Sequence, residues 1–155
     1  MGKEIERKFL VKEGFDFNDL SFKKVELRQC YLNVNPELTV RVRIAEDKAY
    51  LTMKSKTSGC TRDEWEYEIP VTDAEELMER YGLKKLSKTR YFVRYDDKIW
   101  EIDFFHEALE GLRIAEVELR EADERISLPP FIGLEVTGDS RFYNSCLATT
   151  QKIPD

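Results

Sequence analysis

Charged and apolar residues alternate along much of this chain, and the alternation predicts β-strands. In the run EIERKFLV, Glu4, Glu6 and Lys8 share one face, because side chains of a strand repeat with a period of two. Arg41 and Arg43 share a face in the same way. The pattern predicts eight strands, near residues 3–11, 25–34, 38–46, 48–56, 62–70, 88–96, 98–105 and 113–120.

The charged face of each predicted strand carries charges that are mostly of one sign. Lys54 and Lys56 are basic, whereas Glu64, Glu66 and Glu68 are acidic. A solvated face usually mixes the two signs, because opposite charges on neighbouring strands stabilise each other. Faces sorted by sign indicate a converging site for metal ions and a polyanion. The alternative for any single pair is the solvated outer face of an ordinary antiparallel sheet.

Short turn sequences separate the predicted strands, which is typical of antiparallel pairing. The fold prediction is α+β and mainly β, with residues 1–155 forming a single domain. It consists of an eight-stranded antiparallel β-barrel whose charged faces point inward and whose apolar faces carry a few helices. Eight strands enclose a lumen wide enough for side chains or one small ligand. A conventional sandwich, with its apolar faces inward, is the competing arrangement.

Three helices are predicted outside the strands. A capping box of Thr72 and Glu75 begins the first helix, and Gly82 ends it. Residues 121–126 are predicted to form a second, short helix. Asp139 is predicted to cap a C-terminal helix that runs to about residue 150 and lies near one mouth of the barrel.

Composition and charge exclude several classes of protein. A chain of 155 residues with 41% hydrophobic residues suits one globular domain, and its net charge of −6 argues against general nucleic-acid binding. No apolar run approaches the roughly 20 residues that span a bilayer. We expect no membrane partner, no signal peptide and a cytoplasmic location. The three cysteines fit neither a disulfide framework nor a zinc site, and the single His106 excludes a multi-histidine metal site.

The charged motifs occur in an order that resembles a known family. EIERKFLV resembles the Glu-x-Glu-x-Lys signature of the CYTH domain, also called the triphosphate tunnel metalloenzymes. The resemblance continues through RVR at 41–43, YLTMKS at 50–55, RDEWEYEI at 62–69, SKTRY at 87–91, WEID at 100–103, AEVEL at 115–119 and EVTGDSRFYN at 135–144. It implies a charged eight-stranded tunnel and metal-dependent chemistry on a small molecule that contains triphosphate.

The same resemblance implies roles for individual residues. The expected ligands of Mg²⁺ or Mn²⁺ are Glu4, Glu6, Asp103, Glu116 and Glu118. The expected phosphate-binding residues are Lys8, Arg41, Arg43, Lys54, Lys88 and Arg90, with Glu66 as a lower-ranked member that orients them. The expected nucleophile is a metal-activated water, and Glu6 or Glu118 would help to remove its proton. Arg141 is expected to reach the tunnel from the C-terminal helix, or else to be a surface arginine.

Three functions are compatible with these residues. Hydrolysis of inorganic triphosphate to diphosphate and phosphate is the leading prediction. An adenylate cyclase that makes cyclic AMP from ATP is the second, and a non-catalytic polyphosphate- or nucleotide-binding module is the third. The paired carboxylates count against the third, because anion binding alone does not need them. Whether the chain forms a homodimer is left open.

Aromatic residues in the strands bear on the choice of substrate. They alternate with the charged positions, so we expect them to point away from the lumen and to leave little surface for a purine ring. These residues are Trp65, Tyr67, Trp100 and Phe104.

Overall fold

The computed structural model describes all 155 residues of the chain and contains nine β-strands, three α-helices and two 3₁₀ turns. The strands are β1 Gly2–Val11, β2 Lys23–Asn33, β3 Leu38–Ala45, β4 Lys48–Ser55, β5 Thr61–Ile69, β6 Lys85–Tyr95, β7 Lys98–Phe105, β8 Arg113–Glu118 and β9 Ile132–Glu135. The helices are α1 Phe17–Leu20, α2 Val71–Tyr81 and α3 Asn144–Thr150, and the 3₁₀ turns are Glu107–Leu109 and Ser140–Phe142. All eight predicted strands are present. No helix of the chain has both the length and the apolar character that crossing a membrane requires.

The first eight strands close into an antiparallel barrel, which confirms the predicted architecture. Their order around the barrel is β5, β4, β3, β2, β6, β7, β8 and β1, and β1 also pairs with β5. The first half of β1 pairs with β5 from Gly2 to Ile5, and its second half pairs with β8 from Glu6 to Leu10. The ninth strand, which the sequence did not predict, pairs with the end of β1.

Apolar residues cover the outside of the barrel, so the sandwich alternative is wrong. One cluster surrounds the fully buried Trp100 and is covered by Phe17 of α1 and by Phe131. A second cluster packs Val42 of β3 against Met78 of α2. The charged faces of the strands therefore point inward.

A third apolar cluster closes one end of the barrel. Phe142 and Leu147 of the C-terminal segment pack there against Phe105 of β7 and Ile114 of β8. Helix α3 thus lies at one mouth, as predicted. The inward residues of β6 change along the strand in the same direction. Leu86 packs into the apolar cluster at the closed end, and charged positions follow it toward the open end.

The helix boundaries differ from the sequence prediction in three places. Helix α2 begins at Val71 with Pro70 at its N-cap and no side-chain cap, so the capping box at Thr72 is wrong. Residues 121–126 form bends instead of a helix. Asp139 caps the 3₁₀ turn, because Tyr143 has an extended backbone that separates this turn from α3. The predicted end of α2 at Gly82 is confirmed.

Candidate functional site

The barrel encloses a charged cavity of about 590 Å³ that opens to solvent at one end. Only three of its twenty lining residues are hydrophobic, so the cavity suits a highly charged ligand. It brings together ten of the thirteen predicted site residues, which are Glu4, Glu6, Lys8, Arg41, Arg43, Lys54, Glu66, Arg90, Glu116 and Glu118. Lys88, Asp103 and Arg141 do not line it.

One side of the cavity, here called the acidic wall, consists of carboxylates on the adjacent strands β7, β8 and β1. Glu6 lies directly opposite Glu118, and Glu101 lies opposite Glu116. Such cross-strand partners have Cβ atoms only about 4.5–5.5 Å apart. The members of the acidic wall are Glu4, Glu6, Glu101, Glu116 and Glu118.

Charge within the acidic wall is only partly neutralised. Burial, followed by the carboxylates of Glu116 and Glu4, raises the pKa of Glu6 to about 8. Burial also raises the pKa of Glu4, but Lys54 and Arg62 outweigh it and bring this pKa down to about 2. Glu6 forms no ion pair, whereas Glu4 lies 2.8 Å from the Lys54 ammonium.

This acidic wall fits a divalent cation by its donor chemistry. Burial and then the nearby carboxylates disfavour the ionised form of Glu6 and so raise its pKa, and a bound metal ion would stabilise that ionised form. No three His, Cys, Asp or Glu side chains already form a preassembled metal cage. That arrangement is compatible with Mg²⁺, which keeps several waters and uses one or two carboxylates.

A second part of the cavity, here called the basic wall, consists of Arg41, Arg43, Lys54 and Arg90 on strands β3, β4 and β6. It meets the acidic wall where Lys54 pairs with Glu4 at 2.8 Å and Arg90 pairs with Glu101 at 2.7 Å. Fixed partners hold its side chains. Arg41 donates to Thr52 Oγ1 at 3.1 Å, and Arg43 donates to Gln29 Oε1 at 2.8 Å. Burial and then the neighbouring Arg41 lower the pKa of Arg43 to about 9. Glu66 lies 3.6 Å from Arg41, a contact that is compatible with its predicted orienting role.

A buried ion-pair network lies behind Arg90. Asp103 accepts two hydrogen bonds from the Arg90 guanidinium, at 2.7 and 2.8 Å, and one from Lys88 at 2.7 Å. Burial lowers the pKa of Lys88 to about 7 even though Asp103 opposes this change. Asp103 is only 1% exposed and does not line the cavity. These contacts favour a supporting role for Asp103 over the predicted role as a metal ligand.

Arg141 lies outside the cavity, contrary to the expectation that it reaches the tunnel. Its guanidinium forms a 2.7 Å ion pair with Asp139, and its side chain is 60% exposed. The physical reason is local, because a carboxylate two residues earlier holds Arg141 on the outer side of the 3₁₀ turn. Asn144 of α3 lines the cavity instead.

Sequence reasoning also missed several lining residues. Arg62 is in phase with Glu64 and Glu66 on β5, so the period of two contained the signal. Glu101 is likewise in phase with Asp103. Phe92 and Ile99 line the open mouth, although the lumen was expected to be charged throughout. The four aromatic residues predicted to face outward do not line the cavity, as expected.

Comparisons with known proteins agree with this geometry. A family model described as the CYTH domain matches residues 2–143. An inorganic triphosphatase of Acetivibrio thermocellus is 45% identical over 148 residues, covering 95% of this chain and 94% of the relative. An inorganic triphosphatase of Nitrosomonas europaea is 37% identical over 149 residues, covering 94% of this chain and 96% of the relative.

Solved structures share the same barrel. The crystal structure of an inorganic triphosphatase superposes with a TM-score of 0.70 and 34% identity, covering 100% of this chain and 99% of the other. A putative adenylate cyclase from Bacillus halodurans superposes with a TM-score of 0.63, covering 79% of this chain and 84% of the other. At 19% identity, the second likeness concerns the fold alone.

Proposed function

Since the chain belongs to the CYTH domain family, we propose that it is a metal-dependent hydrolase that converts inorganic triphosphate to diphosphate and phosphate. The observation that carries the proposal is a single cavity that is lined by both an acidic wall and a basic wall. Phosphoryl transfer needs positioning and charge neutralisation more than covalent chemistry from the protein. The two walls supply both requirements.

The basic wall binds the phosphate chain in this proposal. Arginine contacts phosphate oxygens through two parallel N–H groups, and lysine acts as a point charge. The Nε atom of Arg41 is buried and has no hydrogen-bond partner. Because buried polar groups are almost always paired, a phosphate oxygen is a fitting acceptor for this donor. Lys54 of this wall and Lys8 of β1 supply such point charges.

The acidic wall holds Mg²⁺ or Mn²⁺ through Glu4, Glu6, Glu116 and Glu118. When bound, such an ion neutralises phosphate charge and lowers the pKa of water. Glu6 or Glu118 accepts the proton that the attacking water loses. Asp103 fixes Arg90 through the fork described above, so that the guanidinium is aligned before the substrate arrives.

The open mouth favours a second candidate, which is hydrolysis of an organic triphosphate. Phe92 lines the mouth, and its ring centroid lies 6.3 Å from that of Phe22, which is half exposed. Ile99 adds apolar surface beside Lys98. An aromatic group attached to the phosphate chain would find stacking partners there.

The deciding experiment measures phosphate release from inorganic triphosphate, ATP and thiamine triphosphate in parallel, with cyclic AMP monitored in the ATP reaction. We expect kcat/KM for inorganic triphosphate to be at least tenfold higher than for ATP, or about 1.4 kcal/mol of transition-state stabilisation. Equal efficiencies would favour the organic substrate, and cyclic AMP as the main product would favour a cyclase. The variant Phe92→Ala serves as a matched control, because it should alter only the reactions of organic substrates.

The state of the cysteines supports a cytoplasmic location, which we also propose. Cys30, Cys60 and Cys146 are all free thiols. Free thiols are the normal state in a reducing compartment.

A further inference from the structure

Three consecutive residues at the closed end of the barrel each contact a cation of the tunnel. They are Phe142, Tyr143 and Asn144, and we call them the plug segment. We propose that the plug segment positions Lys8 and Arg62 for triphosphate, and Arg90 through Lys88 and Asp103, in addition to closing the barrel. This inference rests on the proposed function and assigns positioning residues to the same site.

Lys8 is held by the first two members of the plug segment. Its ammonium donates to the backbone carbonyl of Phe142 at 3.4 Å and lies 5.7 Å from the ring centroid of Tyr143. The nearest carboxylate oxygen belongs to Glu116, at 3.6 Å. The buried ammonium therefore has an acceptor, a ring face and a counter-ion on different sides, and these contacts fix its direction.

Tyr143 also lies beside a second cation. The guanidinium carbon of Arg62 is 6.0 Å from the Tyr143 ring centroid, a distance at which the ring face attracts positive charge. The other contact of Arg62 is with Glu4, at 3.5 Å. The ring face of Tyr143 thus attracts both Lys8 and Arg62. This attraction offsets part of the repulsion between the two cations in a partly desolvated space. The ring does so without adding negative charge that would oppose an incoming phosphate.

Asn144 connects the cavity to the buried network behind Arg90. Its side-chain oxygen accepts a hydrogen bond from Lys88 at 3.0 Å, and Asn144 itself lines the cavity. Lys88 is completely buried, its other hydrogen-bond acceptor is Asp103, and its ammonium lies 5.3 Å from the ring centroid of Phe105. Loss of the Asn144 oxygen would leave a buried ammonium short of an acceptor, which would disturb Asp103 and hence Arg90.

Apolar packing holds the plug segment rigidly enough for this role. Phe142 and Leu147 are buried in the third apolar cluster, and the 3₁₀ turn and α3 flank Tyr143 on both sides. The carbonyl of Tyr143 accepts the hydrogen bond of Leu147 at 2.9 Å. The positions of its side chains are therefore set by the fold before any ligand binds.

The test compares truncating with conservative variants of the same residues. Tyr143→Ala should raise KM for inorganic triphosphate about tenfold, whereas Tyr143→Phe should remain within about twofold of wild type, since the ring face is retained. Asn144→Leu should lower kcat about tenfold, whereas Asn144→Asp should recover most of this loss because it keeps an acceptor oxygen. Failure of both conservative variants to restore activity would overturn the proposal.

A matched control separates positioning from stability. Gln151 follows α3 and donates to the Lys85 and Ala148 carbonyls at 2.7 and 2.6 Å, and it contacts no tunnel cation. Gln151→Ala should therefore lower the melting temperature and leave KM and kcat unchanged. If activity instead falls in proportion to melting temperature across all these variants, the plug segment is only structural and the proposal is wrong.

Binding of inorganic triphosphate, measured by titration calorimetry, distinguishes this proposal from the proposed function. A wild-type protein that binds triphosphate without hydrolysing it would contradict the proposed hydrolase activity. In that case weaker binding by Tyr143→Ala than by Tyr143→Phe would still support positioning, and equal binding would overturn it. A wild-type protein that binds no triphosphate would overturn both.

Discussion

The basic and acidic walls of the tunnel are prepared for their ligands to different degrees. Arg43 is held by Gln29 and Arg90 by Asp103, so contacts within the protein fix the directions of these cations. On the acidic wall, Glu6 lies opposite Glu118 without a counter-ion, and its pKa is raised to about 8. Under the proposed function, the phosphate-binding side is thus built into the fold, whereas the metal-binding side would be completed by the cation itself.

Removal of the metal is expected to have the largest effect on turnover and so tests the role of the acidic wall directly. Chelation should abolish turnover, because the unneutralised acidic wall then faces the negatively charged substrate across the cavity. Added Mg²⁺ or Mn²⁺ should restore turnover, and Ca²⁺ should restore less because it is larger and tolerates looser geometry. Phosphate release in the presence of chelator is the measurement. Full activity without metal would contradict the assignment of the acidic wall.

The variant Glu118→Ala should remove a metal ligand while leaving the barrel folded. The expected cost is several kcal/mol of transition-state stabilisation, since each 1.4 kcal/mol is about tenfold in rate. Steady-state kinetics and thermal unfolding should be measured together. Glu68→Ala is the matched control, because Glu68 is an exposed carboxylate of β5 that does not line the cavity. A fully active Glu118→Ala protein would mean that this position holds no essential metal.

The variant Asp103→Ala should act on stability more than any change in the acidic wall. It leaves the buried Lys88 and Arg90 without their shared carboxylate, and breaking a buried pair costs about 3–5 kcal/mol. Urea unfolding measures this loss. Glu75→Ala breaks the exposed Arg28–Glu75 pair and should cost less than about 1 kcal/mol. Similar losses in the two variants would contradict the view that the basic wall is prearranged.

The variant Glu6→Gln should be more stable than the wild-type protein in the absence of metal. The folded-state pKa of Glu6 lies at about 8, above its ordinary value of 4.5, so ionisation of this carboxyl opposes folding. The advantage of Gln over Glu should therefore be absent at low pH, appear as pH rises above 4.5 and be complete above about 8. Denaturant unfolding should therefore show a larger gain at about pH 8.5 than at about pH 5. A gain that is constant with pH would exclude this cause.

The sequence predicted which residues of each strand point into the barrel. It did not predict which of these inward side chains reach the cavity and which stay buried behind it. A period of two assigns Asp103 and Glu101 to the same inward face, yet only Glu101 reaches the cavity. Depth depends on the tilt and stagger of the strands, which no single segment of sequence encodes. The site residues on regular strands were therefore predictable, whereas their division into lining and supporting groups was not.

Short, irregular segments were the other source of error. β9 has four residues, too few for an alternating pattern to stand out. Arg141 was assigned to the tunnel, but its neighbour Asp139 holds it outside, while Tyr143 and Asn144 face inward. In such a segment, tertiary packing and local ion pairs decide the direction of each side chain.

The way in which β1 closes the barrel has a consequence for folding kinetics. Strand β1 is the first strand in the chain, yet it pairs with β8 and β9 near the other end. Contacts at such large sequence separation slow folding, because the entropy of closing a long loop is lost before they form. Closure brings Glu6 against β8, where burial and then Glu116 disfavour its ionised form, so a charged Glu6 opposes closure. A cation present during refolding binds only the closed form and should favour it by mass action.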